Sequence, residues 1–159
     1  MPTTHQKAAP RMTPYLLYED VGAALGWLTN AFGLREQSRM AGPDGAINHA
    51  AMEFADGELA IMLGCPGPTY KNPKRLGHVT QSLYVHVDDL DKHFDRAKKA
   101  GATILAEPED QVYGDRRYGA ADLEGHQWYF AQHIRPKHTS RRRRPARRST
   151  SSRTSAERR

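Results

Sequence analysis

Between residues 13 and 134 the apolar positions switch from a two-residue to a 3.6-residue period and back, in the same order twice. Pro14-Tyr15-Leu16-Leu17-Tyr18 predicts a strand. Glu19-Asp20 supplies an N-cap, and Leu25, Leu28 and Phe32, with Ala24 and Ala31 beside them, draw one apolar stripe along a helix from Val21 to Phe32. Gly33 is placed to end it. Strands are expected over Leu34–Met40, Ala46–Ala55 and Glu58–Leu63, separated by the turns Gly42-Pro43-Asp44-Gly45 and Asp56-Gly57. A Gly- and Pro-rich connection covers 64–79. The order then restarts. A strand is expected over Gln81–Val87, and Asp88 or Asp89 caps a helix from about Leu90 to Ala100 with Leu90, Phe94 and Ala97 inside. Gly101 ends that helix; a strand over Ala102–Leu105 and a loop over 106–111 lead to a closing hairpin, 113–130.

That hairpin organises the rest. Asp122-Leu123-Glu124-Gly125 is its turn, with Gly125 free to take positive φ. Trp128 and Phe130 fall on one face and Gln127, Tyr129 and Ala131 on the other, so one face suits a core and one a wetter cavity. His126 sits in the turn and is expected to hydrogen-bond locally. The two halves repeat in element order: Tyr15 to Asp20 aligns with Tyr84 to Asp89, and Leu25 and Phe94 each lie five residues past a capping Asp. The chain therefore reads as α+β, two βαβββ modules, neither able to bury its sheet alone.

Charge divides the chain further. Residues 135–159 hold 11 Lys or Arg against Glu157, a net +10, whereas 1–134 carry −4. The expected organisation is an arm over 1–12, a domain over 13–134 with modules at about 13–63 and 80–133, and a disordered basic tail over 135–159. The run Arg141 to Arg148 would attract phosphate backbones nonspecifically, and it lacks the interleaved aromatics that read bases. The single cysteine, Cys65, excludes an internal disulfide and points to a reducing, cytoplasmic setting. The N-terminal residues lack the apolar core of a secretion signal, and no run approaches the roughly 18 apolar residues of a membrane helix. No Ser/His/Asp order, Walker loop or dinucleotide fingerprint is present, and no activating base stands near Cys65 in sequence.

Tyr113-Gly114-Asp115-Arg116 followed by Asp122-Leu123-Glu124-Gly125-His126-Gln127-Trp128, set in a βαβββ repeat, resembles the vicinal oxygen chelate superfamily and, within it, the glyoxalase/bleomycin-resistance branch. Leu123 stands where that branch usually has Pro. The resemblance implies a curved sheet around a cavity, a homodimer and a small-molecule ligand. It also implies four metal-ligand slots, which fall at Thr13, near Ala51 or Glu53, at Ser82 and at Tyr129. Only Glu53 among these is a good ligand for a divalent ion.

The chemistry-bearing residues follow the strand alternation. Tyr15, Tyr84 and Tyr129 occupy positions suited to an aromatic cavity wall. His49 and Glu53 share a strand face, as do Tyr84 and His86, and Arg116 or Arg117 is placed to hold a ligand anion, with Arg117 taken into the expected set. These seven are the expected ligand-binding residues. No metal is the leading expectation, with His49, Glu53 and His86 as the alternative two-His, one-carboxylate set. Three functions are expected from this pattern. The first is a bleomycin-resistance-type protein sequestering a planar or cationic compound, as in antibiotic resistance. The second is a glyoxalase-like metal-dependent lyase, isomerase or dioxygenase. The third is a nucleic-acid accessory protein acting through the tail.

Overall fold

A computed structural model of the chain describes Pro10, residues 12–54 and residues 57–134. Most of the expected arm and all of the expected tail lie outside the described residues. The first module contains β1 (Tyr15–Leu17), α1 (Val21–Phe32), β2 (Leu34–Ala41), β3 (Ile47–Phe54) and β4 (Ala60–Gly64). After a short helix, α2 (Pro73–Leu76), come β5 (Ser82–His86), α3 (Leu90–Lys99), β6 (Thr103–Asp110), β7 (Asp115–Ala121) and β8 (Gln127–His133). The two four-stranded sheets have equivalent orders, β1-β4-β3-β2 and β5-β8-β7-β6, each with its first strand parallel to its neighbour. The expected α+β fold of two βαβββ modules is what the chain adopts. Among the described residues, no helix is long and apolar enough to cross a membrane.

The helix limits follow from their caps. Asp20 accepts from the Ala23 amide, Gly33 closes α1 in the left-handed region at φ 76°, and Asp89 accepts from the Lys92 amide. Arg96 on α3 then donates from Nε to the Asn30 carbonyl and from a terminal nitrogen to that of Thr29, satisfying the open end of α1 across the module boundary. A side chain at Gly33 would meet that guanidinium at 2.8 Å.

Two expectations in the second half are corrected. Residues 106–110, expected as a loop, continue β6, because Glu109 and Asp110 pair with Arg117 and Arg116 across the ladder. Pro108, the usual strand-breaker, falls in the register shift between Ala106 and Glu109, where the ladder does without its amide. The connection 64–79 contains α2, capped by Asn72 with Pro73 in its first turn.

One core serves both modules. The ring of Phe32, at the end of α1, lies 5.3 Å from Trp128 and 4.8 Å from Phe130 on the buried face of β8. Trp128 and Phe130 are fully buried, as their alternation predicts. Asp122 is buried with them and accepts four hydrogen bonds: from the Tyr18 hydroxyl (2.6 Å), Trp128 Nε1–H (3.1 Å), and the amides of Glu124 (3.1 Å) and His126 (3.0 Å). Glu124, also buried, accepts from the Glu19 and Asp20 amides and from the Asn72 side chain. His126 is not confined to its turn: its Nε2–H donates to the Leu17 carbonyl at 2.8 Å, so the turn grips β1 of the other module.

His93 lies between the modules. Its ring nitrogens contact the Phe32 carbonyl (2.9 Å) and the Tyr118 hydroxyl (2.7 Å). A carbonyl only accepts, so Nε2 carries the proton and Nδ1 accepts from Tyr118. Burial lowers the pKa of this imidazole; the Phe32 carbonyl opposes that shift and Arg96 adds to it.

Replacing Asp122 by Ala strands its buried donors, so urea unfolding is expected to lose roughly 3–5 kcal/mol, with Asp122→Asn intermediate because its amide NH2 faces donors. Stability is also expected to fall with acid. The unfolded chain protonates His93 near pH 6.5, whereas the folded chain keeps it neutral, so its contribution is complete above that pH and declines as pH drops below it. Unfolding midpoints at pH 7.5 and 5.5 measure this decline, and His93→Gln should reduce it.

Candidate functional site

Leu16, Ala50, Met52, Ile61 and Leu63 turn one face of the first sheet into the core, which leaves Tyr15, His49, Ala51, Glu53 and Met62 on the other. In the second sheet Val85, Tyr118, Ala120, Trp128 and Phe130 face inward, leaving Tyr84, His86, Asp115, Arg117, Gly119, Tyr129 and His133 outward. All seven expected ligand-binding residues therefore stand on faces turned away from the helices, three on one sheet and four on the other. Both helix-covered faces share a single core, so the two open faces look outward. Tyr15 is 50% exposed and Tyr84 45%.

Each open face has its own construction. On the first, the Tyr15 hydroxyl and His49 Nδ1 hydrogen-bond at 3.1 Å, with Gly64 beneath the Tyr15 ring. Glu53 is held by Arg35 and Gln37. On the second, Tyr129 lies across Gly119, where a Cβ would come within 2.8 Å of the ring. The Arg117 guanidinium sits 4.9 Å from the Tyr129 centroid, a cation–π stack that presents a flat, charged surface. A cleft of about 260 Å³ between the modules is bordered by Phe54, Leu59, Tyr84 and His86.

Two side chains on this open face, Asp115 and His133, escape the sequence reading. Asp115, at the start of β7, is buried, and its Oδ1 accepts from His133 Nδ1–H at 2.5 Å while Oδ2 accepts from the Tyr84 hydroxyl at 3.0 Å. Burial alone would raise the Asp115 pKa; the hydrogen bonds from His133 and Tyr84 and the nearby imidazoles more than offset it and hold the carboxyl below its usual range. Burial pushes the Tyr84 hydroxyl well up, helped by Tyr113 and Asp115. The signal was present in the hairpin: counting outward from the turn at 122–126 pairs Ala121 with Gln127 and, six steps on, Asp115 with His133.

The superfamily's metal position can be tested against these side chains. Ser82 and Thr13 offer hydroxyls, and Tyr129 is stacked under Arg117. Glu53 is engaged by Arg35 and Gln37. This donor set does not fit a divalent ion at that position. His49 and Glu53 lie on the first sheet and His86 on the second, where its ring neighbours are Tyr84 and His133.

Residues 11–130 match the model of the Glyoxalase/Bleomycin resistance protein/Dioxygenase superfamily. The uncharacterized protein Mb0911c of Mycobacterium bovis is 35% identical over 132 residues, covering 79% of this chain and 85% of that protein. TioX from Micromonospora sp. ML1 superposes with a TM-score of 0.62 at 34% identity, over 80% of this chain and 98% of its own. TnmS3, an antibiotic binding protein from Streptomyces sp. CB03234, shares the fold with a TM-score of 0.64 at 16% identity, over 81% of this chain and 99% of its own.

Replacing Gly64 by Ala would drive a methyl group into the Tyr15 ring. The ring is half exposed and free to swing out, so the Tyr15–His49 bond should break while stability shifts by no more than about 1 kcal/mol. The His49 ring resonances and the urea midpoint report the two effects separately.

Proposed function

Because the chain belongs to the glyoxalase/bleomycin resistance protein/dioxygenase superfamily, we propose that it is a small-molecule-binding protein of the bleomycin-resistance type, which sequesters a planar or cationic compound without using the superfamily's metal position. The observation that carries this reading is the wall formed by Tyr84 and Tyr129 with Arg117 stacked above the latter. Aromatic surface with a few fixed polar groups suits a flat, partly apolar ligand. The net charge of −4 over residues 1–134 is compatible with a cation. Proteins of this superfamily typically bind small molecules and form dimers. In the proposed homodimer, the Tyr15–His49–Met62 face of one chain covers the Tyr84–Arg117–Tyr129 face of its partner, so each cavity is closed by both subunits. Residues 13–134 are the proposed binding domain and the cytoplasm the proposed setting; binding of nucleic acid by the basic tail would be incidental.

Sedimentation should give a dimer, and titration of chelator-treated protein with a panel of planar antibiotics should raise the melting temperature for at least one class. Tyr84→Ala and Tyr129→Ala should each weaken that ligand about tenfold, the scale of one lost aromatic contact. A monomer at all concentrations, or binding indifferent to both substitutions, would sink the proposal.

A further inference from the structure

We infer that His86, Asp115 and His133 form a binding site for a divalent transition-metal ion, separate from the superfamily's metal position. The three close β5, open β7 and close β8, adjacent strands of one sheet, and all lie on its open face. One ligand atom from each falls within 4.8 Å of the others, so small side-chain rotations bring them around one ion. The imidazoles of His86 and His133 lie with centroids 4.4 Å apart, tilted by 34°. Beside them on β8 lies Ala131, the residue opposite His86 in the parallel register, a small side chain that is itself fully covered.

The set has the parts such a site needs. Asp115 supplies a carboxylate whose position is fixed from behind by the Tyr84 hydroxyl on Oδ2. A ligand carboxylate oriented in this way by a neighbouring donor is typical of bound metals. Both histidines are exposed, giving an ion a path in. Occupying the site exchanges the His133–Asp115 hydrogen bond for two bonds to the metal, and the Nδ1 proton of His133 moves by way of solvent to the exposed ring's Nε2, so the ligating imidazole stays neutral. Two imidazoles with one carboxylate select zinc, nickel, cobalt or iron(II) over calcium and magnesium, which prefer all-oxygen shells. Three protein ligands leave coordination positions open to a further ligand, and His86 also borders the cleft between the modules.

The location sets this apart from the superfamily's chemistry. Ser82 and Tyr129, the slots on β5 and β8, each lie four residues before His86 and His133, or about 13 Å along the strands. One ion does not reach both places. The inference does not rest on the proposed antibiotic-type ligand, which is tested on chelator-treated protein.

Untagged full-length protein, stripped with chelator and incubated with Zn(II), Ni(II) or Co(II), is desalted and assayed for metal; the Co(II) form is also followed by its visible absorption. One equivalent per chain is expected, with a cobalt spectrum showing nitrogen and oxygen ligation. His86→Ala and His133→Ala, both at exposed strand ends where folding should survive, are each expected to lower affinity by roughly 100-fold. Tyr84→Phe should lower it by roughly tenfold through the freed Asp115 oxygen. His49→Ala and His78→Ala should leave it unchanged. Failure to retain metal, or retention that survives loss of His86 and His133, overturns the assignment; so does loss of metal on replacing His49.

Discussion

A buried carboxylate, Asp122, with no ion pair to it among the described residues, holds this fold together. Asp122 is removed from water, and the loss of hydration is tolerable only because two side chains and two backbone amides donate to it. Those donors come from different places: Tyr18 precedes α1, Trp128 lies in β8, and the amides belong to the turn itself. The turn cannot form properly without the strand after it, nor can Tyr18 be buried without the turn. Glu124 and His126 extend the same logic, tying the turn to the Glu19 and Asp20 amides and to the Leu17 carbonyl. The Asp-x-x-Gly-His-x-Trp pattern is thus an architectural device that joins the modules. Leu123 is tolerated where relatives of this branch carry Pro because its side chain is partly exposed and takes no part in these bonds.

This clamp decides where chemistry is possible. It draws the helix-covered faces of both sheets into one core, with Phe32, His93 and Phe130 packed at the junction. Every side chain of opposite parity is then displayed outward. Aromatic and ionisable residues on those strands are consequently available to ligands, and their polar atoms are satisfied by neighbours on the same face, as with Tyr15 and His49 or Tyr84 and Asp115.

Much of this was legible in the sequence where the signal is local. The caps Asp20 and Asp89, the glycine stop at Gly33 and the Trp128/Tyr129 alternation each depend on neighbours within a few residues, and each element lies where its pattern places it. The strand through Asp110 was hidden because its apolar alternation is absent. What sustains it is pairing with Arg116 and Arg117 on a strand whose position only the register reveals. The reach of His126 to Leu17 was hidden for a stronger reason: 109 residues separate them, and no local rule orients a turn histidine toward the other module. Asp115 and His133 fall between these cases. Their pairing follows from counting out along a hairpin, but the burial of Asp115 and its bond to Tyr84 need the third strand.

The two ends of β5 and β8 show how one scaffold separates its tasks. At Ser82 and Tyr129 the positions that carry ligands elsewhere in the superfamily hold a hydroxyl and a ring, and the ring is occupied in stacking with Arg117. Four residues on, the same strands carry imidazoles beside a buried carboxylate. Both places are built on the same paired strands, so what distinguishes them is the side chains each position carries. A guanidinium stacked on Tyr129 disfavours a compact metal ion there while leaving aromatic surface for a flat ligand, and the Asp115 carboxylate favours a metal ion at the other place. In the proposed reading, the Tyr84–Tyr129 wall takes the flat ligand and the His86–Asp115–His133 rim takes the metal ion.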